Sequence, residues 1–459
     1  MTATIEEQEL VKEARRVGRI IKLMSELAGT STGESVFYGP SRHLVARTER
    51  GSIVAKFYKE GERRTTELRN LATFNEINAA RTPLYREIIR EVGGADVPYL
   101  GLPQTPEILD SRRESATKEQ NGVAISVWSA IPGEQLYAKM IKGIASFEDF
   151  LLVAAQIARI QQEGKNSKDR LGLEDVVWRA KPQTSYFLSR FQEKYLDTLM
   201  RNSGIQLQPS MQDEMKLHWE TLVASNLVRA HREGYTGFYY DGNPKNHILD
   251  SAQKTIVSFD LEDRIIAPVQ LSLASLMSFG VNKDEKPYLS HDNQMKILDR
   301  YLLEIEFVNA MIQGAEEKAK RIATYVSGMY AGGNYDLSTQ DEFFRFLPEN
   351  SVEKGRERRE KFVATWPYAQ LERHFAWLAH KSKFRAVGEI LLSEGYRFEI
   401  ENPVVQNAIE QREHLSQIII LLGQLKETLP KNGRYAQVAA GRLYDIFKQL
   451  ADNQYFSSK

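Results

Sequence analysis

The sequence predicts an α+β protein: a small antiparallel β lobe, a larger helical lobe and an additional C-terminal helical region. Three observations carry this. Short strand-like runs at 35–38, 43–48 and 53–58 are separated by the turns Gly39-Pro-Ser-Arg42 and Glu49-Arg-Gly-Ser52, the pattern of an antiparallel meander. Beyond residue 146, apolar residues recur mainly at helical spacing. Within that helical part, two apolar runs, His247 to Leu249 and Thr255 to Phe259, flank the polar turn Asp250-Ser-Ala-Gln-Lys254 and read as a β-hairpin.

A chain of 459 residues is too long for one ordinary domain. The pattern divides it into an amphipathic helix (1–28), the small lobe and its connection (29–135), the helical lobe (136–305) and a helical extension (306–459). Hydrophobic residues make up 42% and charged residues 27%, the balance of a globular protein. Lys+Arg and Asp+Glu are both 61, so net charge gives no reason to expect nucleic acid or an anionic membrane surface. The absence of cysteine excludes disulfides, thiolate metal sites and cysteine nucleophiles. The N-terminus shows no secretory pattern. The longest apolar runs, such as Ile418 to Leu422, fall far short of the roughly 20 residues of a membrane span. A cytoplasmic protein is expected.

Residues 5–28 place Leu10, Val17, Ile20, Met24 and Leu27 on a broadly helical spacing, ended by Ala28-Gly29. After the meander a helix is expected at 63–78, with Leu68, Leu71, Phe74 and Ile77 on one face, and a second helix at 81–95. Strands at 107–110 and 123–130 follow, the latter running into Trp128-Ser-Ala-Ile-Pro-Gly-Glu134. Ser146-Phe-Glu-Asp149 has the form of a capping box, opening a helix that buries Phe150, Leu151, Ala154, Ile157 and Ile160. Residues 165–210 read as a helical insertion whose aromatics, Trp178, Tyr186, Phe187 and Phe191, serve as core. Helices at 211–233 and 295–306 follow. The last third is a set of amphipathic helices broken near Pro348, Pro367, Pro403 and Pro430.

The chemistry gathers around Gly237-Phe-Tyr-Tyr-Asp241-Gly-Asn-Pro-Lys-Asn246 and Ser258-Phe-Asp260-Leu-Glu262-Asp263. Asp241 and Asn246 stand on the loop into the hairpin, and Asp260 ends its second strand. Three oxygen-bearing side chains thereby meet at one end of a rigid element. Phosphoryl transfer uses such a set: a carboxylate for the attacking hydroxyl, and an Asn and an Asp for Mg²⁺ on nucleotide phosphates.

Asp-x-x-x-x-Asn, a hydrophobic strand and hydrophobic-Asp-x-Glu resemble the catalytic and metal loops of the aminoglycoside phosphotransferase and choline kinase-like branch of the protein-kinase-like fold. The resemblance spans about residues 30–305 and implies a bilobal kinase-like body that transfers the γ-phosphate of ATP to a hydroxyl of a small molecule. It implies Asp241 as catalytic base and Asn246 and Asp260 as Mg²⁺ ligands. Lys56, in Val54-Ala55-Lys56, corresponds to the third-strand lysine that meets the nucleotide phosphates. The resemblance favours Glu67 over Glu76 as its partner. Ser41 falls in the phosphate turn, and Val127, Trp128 and Ala130 fall in the strand and hinge that meet adenine through the main chain. Lys245 is a candidate contact to the transferred phosphate, and Glu262 and Asp263 to a second metal or the substrate.

Three positions depart from the family pattern. Tyr239 stands where a His is usual, Ser272 where an Asp braces the catalytic loop, and Gln161 where a helix usually ends in His. Tyr239, Ser272 and the helical tail keep open a second reading, a pseudokinase-like nucleotide-binding module that engages a partner through its C-terminal helices. A lid, a homo-oligomer interface and a partner site all remain open for those helices. Other templates fit poorly. Gly29-Thr-Ser-Thr-Gly33 matches a hydrolase elbow but lies between a helix and a strand in the wrong order, and no zinc or Walker motif is present.

Overall fold

Alternating β-branched and aromatic residues build the first sheet. In the computed structural model, β1 (Ser35–Tyr38), β2 (His43–Thr48), β3 (Gly51–Tyr58) and β4 (Ala124–Val127) pair antiparallel in that order. The register sets Lys56 opposite His43 on one side and Ser126 on the other, and Val127 opposite Ala55. The structure describes residues 8, 10–12, 14, 15, 18, 35–38, 43–48, 51–58, 61–92, 124–127, 133–173, 187, 188, 190–203, 206–250, 255–261, 263, 265–279, 287–347, 351–396, 403–429 and 434–452. The described residues before Ser35 are helical, as expected for the N-terminal segment. The expected strand at 107–110, Gly29 to Gly33, Trp178 and Tyr186 lie outside the described residues.

Where two helices were expected after the meander there is one, α1 (Gly61–Glu91), running through Pro83. Proline in a helix interior removes one hydrogen bond and crowds the preceding turn. Tertiary contacts on both sides of it offset that cost. Arg81 pairs with Glu163 at 3.2 Å, and Tyr85 and Ile88 are buried, the Tyr85 ring lying 5.4 Å from Phe307.

The second body starts with β5 (Glu134–Gln135), which pairs with β7 (His247–Asp250) of the predicted hairpin, itself closed by β8 (Thr255–Ser258). The helices α2 (Leu136–Ile141) and α3 (Phe147–Asn166) follow. α3 opens with the capping box read from the sequence: the Asp149 N–H donates to Ser146 Oγ, and the Ser146 N–H to the Asp149 carboxylate. The short α4 (Lys168–Leu171) comes next, then a π-helical segment at Arg190–Leu196 that leads into α5 (Asp197–Ser203). α6 (Pro209–Trp219) continues through another π-helical stretch into α7 (Ser225–Arg232). Outside the sequence expectation is a two-stranded sheet of β6 (Thr236–Phe238) and β9 (Ile266–Pro268), which brackets the hairpin. Then come α8 (Gln270–Met277), α9 (His291–Ile312) and α10 (Glu316–Gly332). The last helices are α11 (Asp341–Phe346), α12 (Val352–Ala364), α13 (Trp366–Ser393), α14 (Pro403–Thr428) and α15 (Arg434–Asp452). Pro367 and Pro403 sit at helix starts, where a missing N–H costs least.

The expected boundary at 305 falls within α9, and residues beyond it pack in the same hydrophobic cluster as residues before it. Phe191 stacks on Trp219 at 4.4 Å and on Phe375 at 5.0 Å, and Phe375 meets Phe447 at 5.5 Å. The insertion, α6, α13 and α15 thus meet in one aromatic cluster. The periodicity that identifies each helix says nothing of which helices share a core.

A buried ion triad joins α3 to α9. Arg159 and Arg300 both pair with Glu304, the latter at 2.7 Å, and all three are essentially inaccessible to solvent. The Arg159 guanidinium also lies 5.2 Å from the Tyr85 ring centroid, linking α1 to the same point. The two cations hold Glu304 ionised, below its ordinary range, despite burial that pushes the other way. Removing one member of a buried group strands its partners' charge. Glu304→Gln is expected to cost about 3–5 kcal/mol, read as a lower urea midpoint at unchanged slope.

Candidate active site

Two short sheets position one loop. The chain leaves β6 at Phe238, where the Tyr239 N–H donates to the Ile265 carbonyl at 2.8 Å, and re-enters regular structure at β7. Between them, Asn243 caps a short 3₁₀ turn at Pro244–Asn246 by accepting the Lys245 N–H at 3.0 Å. Gly242 passes so close to α8 that a Cβ there would sit 2.3 Å from the Ser272 carbonyl oxygen. Only glycine fits this crossing.

The loop and the end of the hairpin are tied together through Asn246. Its carbonyl accepts the Phe259 N–H at 3.1 Å and the Tyr240 hydroxyl at 3.3 Å, and that hydroxyl also reaches the Phe259 carbonyl at 3.1 Å. The Asn246 side-chain amide donates to the Asp241 carbonyl at 2.9 Å and points at Asp260 Oδ2 from 3.5 Å. Asp241, Asn246 and Asp260 are therefore brought together, as their spacing in the sequence suggested. Asp260 adopts φ 73°, the only positive φ at a non-glycine among the described residues. Such a left-handed conformation costs an L-residue about 1–2 kcal/mol, and asparagine and aspartate tolerate it best.

Burial of the Asp241 carboxyl pushes its pKa up; the neighbouring Arg373 guanidinium opposes this and the Asp260 carboxylate adds to it. Asp241 Oδ1 is closed off from solvent without a hydrogen-bond partner and lies 4.0 Å from Arg373 Nη1. Two neighbouring carboxylates beside the buried Asn246 amide form a donor set suited to a divalent cation. Mg²⁺ is commonly held by one or two protein carboxylates, with substrate phosphates and water completing the shell. Among the described residues there is no cluster of three or more His, Cys, Asp or Glu side chains that could hold a metal ion.

The three departures from the family pattern each have a structural partner. Tyr239 is buried, and its hydroxyl accepts from Arg190 Nη2 at 3.0 Å and Arg373 Nη1 at 3.2 Å. Burial pushes that phenol up to about 12, so it stays neutral. Ser272 Oγ accepts the Tyr240 N–H at 3.4 Å and the Gln161 side-chain amide at 2.9 Å, so a serine braces the loop where an aspartate is usual. Gln161 in turn accepts from the Tyr301 hydroxyl. Sequence reading missed Arg190, Tyr195, Glu372 and Arg373. The available signal was Glu372-Arg373-His374, a charged triplet between the apolar Leu371 and Phe375 of a helix.

The remaining candidates divide. Glu67 is fully buried on α1, near enough for its charge to raise the pKa of Tyr240, whereas Glu76 is exposed and pairs with Arg170. Asn70, one turn on from Glu67, donates to the Leu261 carbonyl at 2.6 Å and the Asp263 carbonyl at 3.2 Å, fastening α1 to the segment after Asp260. For Lys56 and Val127 the structure fixes the backbone register given above. Ser41, Trp128, Ala130 and Glu262 lie outside the described residues. The Lys245 ammonium packs over the rings of Tyr137 at 4.5 Å and Phe279 at 5.0 Å, where burial and the Lys381 charge depress its pKa.

Similar solved structures include a Plasmodium vivax ethanolamine kinase, with 8% identity over 84% of this chain and 80% of that one, at a TM-score of 0.36. A choline kinase from Streptococcus pneumoniae shows 13% identity over 75% of this chain and 98% of its own, at 0.30. A spectinomycin phosphotransferase, solved with ADP and spectinomycin, shows 11% identity over 71% and 92%, at 0.29. These matches are small-molecule kinases. No family model matches the chain, and no curated protein matches it.

Two buried histidines make the stability of this region pH-dependent. His247 bonds Ser258 Oγ through Nδ1 at 3.0 Å, and His374 shares a 3.0 Å Nδ1–Nδ1 contact with His414. Burial lowers His247 and His374 to about 3, from 6.5. The unfolded chain therefore binds more protons than the fold below pH 6.5, and stability present above that value is lost as pH falls towards 3. Between pH 7 and 5, above the range of most carboxylates, these two histidines are expected to lower the unfolding free energy by roughly 4 kcal/mol. Chemical denaturation at the two pH values measures it.

Proposed function

We propose that the chain is a phosphotransferase that moves the γ-phosphate of ATP to a hydroxyl of a small molecule. The observation that carries this reading is the Asn246 side chain, set between the Asp241 main chain and the Asp260 carboxylate on the two loops of one hairpin. Charge in phosphoryl transfer develops on phosphoryl oxygens, so the protein supplies position and cations rather than a covalent nucleophile. Asp241 orients the acceptor hydroxyl and receives its proton. Its raised pKa and solvent-shielded Oδ1 suit a group whose proton changes hands during turnover. Asn246 and Asp260 hold Mg²⁺, which screens the nucleotide phosphates. Lys56, with Glu67 as its partner, meets the phosphates from the first sheet. The phosphate turn with Ser41 and the segment Val127, Trp128 and Ala130 bind the nucleotide.

Tyr239 and Ser272 motivate the alternative, a nucleotide-binding module without catalysis. The bonds that Ser272 makes to Tyr240 and Gln161, and that Tyr239 makes to two arginines, support the catalytic reading instead, because the loop keeps a brace at each substituted position.

The test is consumption of Mg·ATP by the full chain against a panel of hydroxylated metabolites, amino alcohols and aminoglycosides. Turnover that depends on one acceptor class and falls about 10²–10⁴-fold in Asp241→Ala is expected. Asp260→Asn should retain the backbone turn yet lose the Mg²⁺-dependent rise in melting temperature with ATP. Absence of any stabilisation of the wild-type chain by Mg·ATP would sink the assignment.

A further inference from the structure

Arg373 belongs to α13, far along the chain from the catalytic loop, and its guanidinium is spent on that loop's surroundings. Nε donates to Glu372 Oε2 at 2.6 Å. Nη1 donates to Ser275 Oγ at 3.0 Å and Tyr239 Oη at 3.2 Å, and Nη2 to Tyr195 Oη at 2.9 Å and Glu372 Oε1 at 3.3 Å. The side chain is 6% exposed, so these bonds form away from water. Its four partners come from four places: the π-helical segment (Tyr195), the loop (Tyr239), α8 (Ser275) and α13 itself (Glu372). Arg190 completes the frame by bonding Tyr239 and pairing with Glu372 at 3.2 Å. The single carboxylate of Glu372 serves both guanidinium groups, and their charges keep it ionised against the push of burial.

We infer that Arg373 is a positioning residue for phosphoryl transfer, holding the Asp241 carboxylate at its working place through Tyr239, Ser275 and charge. The inference rests on the reading of Asp241 as the group that orients the acceptor hydroxyl. Three geometric facts carry it. Nη1 stands 4.0 Å from Asp241 Oδ1, near enough to attract the carboxylate and beyond hydrogen-bond range. The same Nη1 bonds Tyr239, two residues before Asp241, and Ser275, on the helix that the loop crosses at Gly242. The planar fork satisfies several acceptors at fixed angles, a task that a lysine ammonium performs only in part. Arg373 bonds neither Asn246 nor Asp260, so its effect falls on the acceptor side of the site rather than on nucleotide binding.

The experiment uses hydrolysis of Mg·ATP by the full chain, with water as acceptor, in wild type, Asp241→Ala, Arg373→Met, Arg373→Lys and Tyr195→Phe. The expected result is a kcat lower by about 10²-fold in Arg373→Met, as for a misplaced catalytic group. KM for Mg·ATP and the melting shift it induces should change by less than about twofold, and Arg373→Lys should recover part of kcat. Tyr195→Phe deletes one support of the guanidinium while leaving Asp241 untouched. A fall in kcat at constant KM in that variant supports the role if Arg373→Met does not fold, and an unchanged kcat there overturns it. The inference is likewise overturned if Arg373→Met keeps wild-type kcat, or loses nucleotide affinity in step with kcat. Equal hydrolysis by wild type and Asp241→Ala, a comparison that does not involve Arg373, would overturn the phosphotransferase reading and this inference with it.

Discussion

The carbonyl oxygen of Asn246 accepts from both the Phe259 N–H and the Tyr240 hydroxyl, and the geometry of the site hangs on that shared acceptor. An irregular loop and the end of a strand are otherwise free to slide relative to each other. Two donors converging on one carbonyl fix their distance and leave the Asn246 side chain directed at Asp241 and Asp260. Burying Tyr240 is only acceptable because its hydroxyl is satisfied by those main-chain oxygens. Packing, hydrogen-bond satisfaction and the placing of the polar side chains are thus one requirement met at one point.

Much of this was legible in the sequence because it is local. The meander, the hairpin and the Ser146–Asp149 capping box depend on neighbours within a few residues, and their patterns survive translation into structure. Asp241, Asn246 and Asp260 were legible because a short hairpin converts their spacing into proximity. The helices expected at 63–78 and 81–95 are one because periodicity does not show that the stretch between them stays helical, and the Arg81–Glu163 pair and the buried Tyr85 hold the continuous helix through Pro83. The β6–β9 sheet escaped notice because each strand is only three residues long and its partner lies beyond the hairpin. Arg373 was invisible for a further reason: helical periodicity marks a buried face, but a charge on that face does not disclose which distant carboxylate or hydroxyl it meets.

Polar groups on buried helix faces recur through the C-terminal third. His374 faces His414, and Lys381 pairs with Glu410 while lying 5.1 Å from the Phe279 ring. Lys245, from the loop between β6 and β7, shares that ring. Apolar residues of the same size would pack there at less desolvation cost. What polar pairs add is registry: His374–His414 and Lys381–Glu410 both bridge α13 and α14 and favour one alignment of the two helices, and α13 in turn presents Arg373 to the loop. The helices after residue 305 are, in this sense, part of the wall of the site rather than an appendage to it.

The left-handed backbone at Asp260 carries a consequence for how this chain diverges over time. Under the proposed phosphotransferase function, one residue answers to two independent filters, the turn and the carboxylate chemistry, and side chains that pass the first are few: aspartate, asparagine and glycine. A descendant that abandons catalysis but keeps its shape will therefore leave a narrow trace at this position, Asn or Gly and rarely Ala or Val. Its activity would then be lost by a single step that the fold hardly registers.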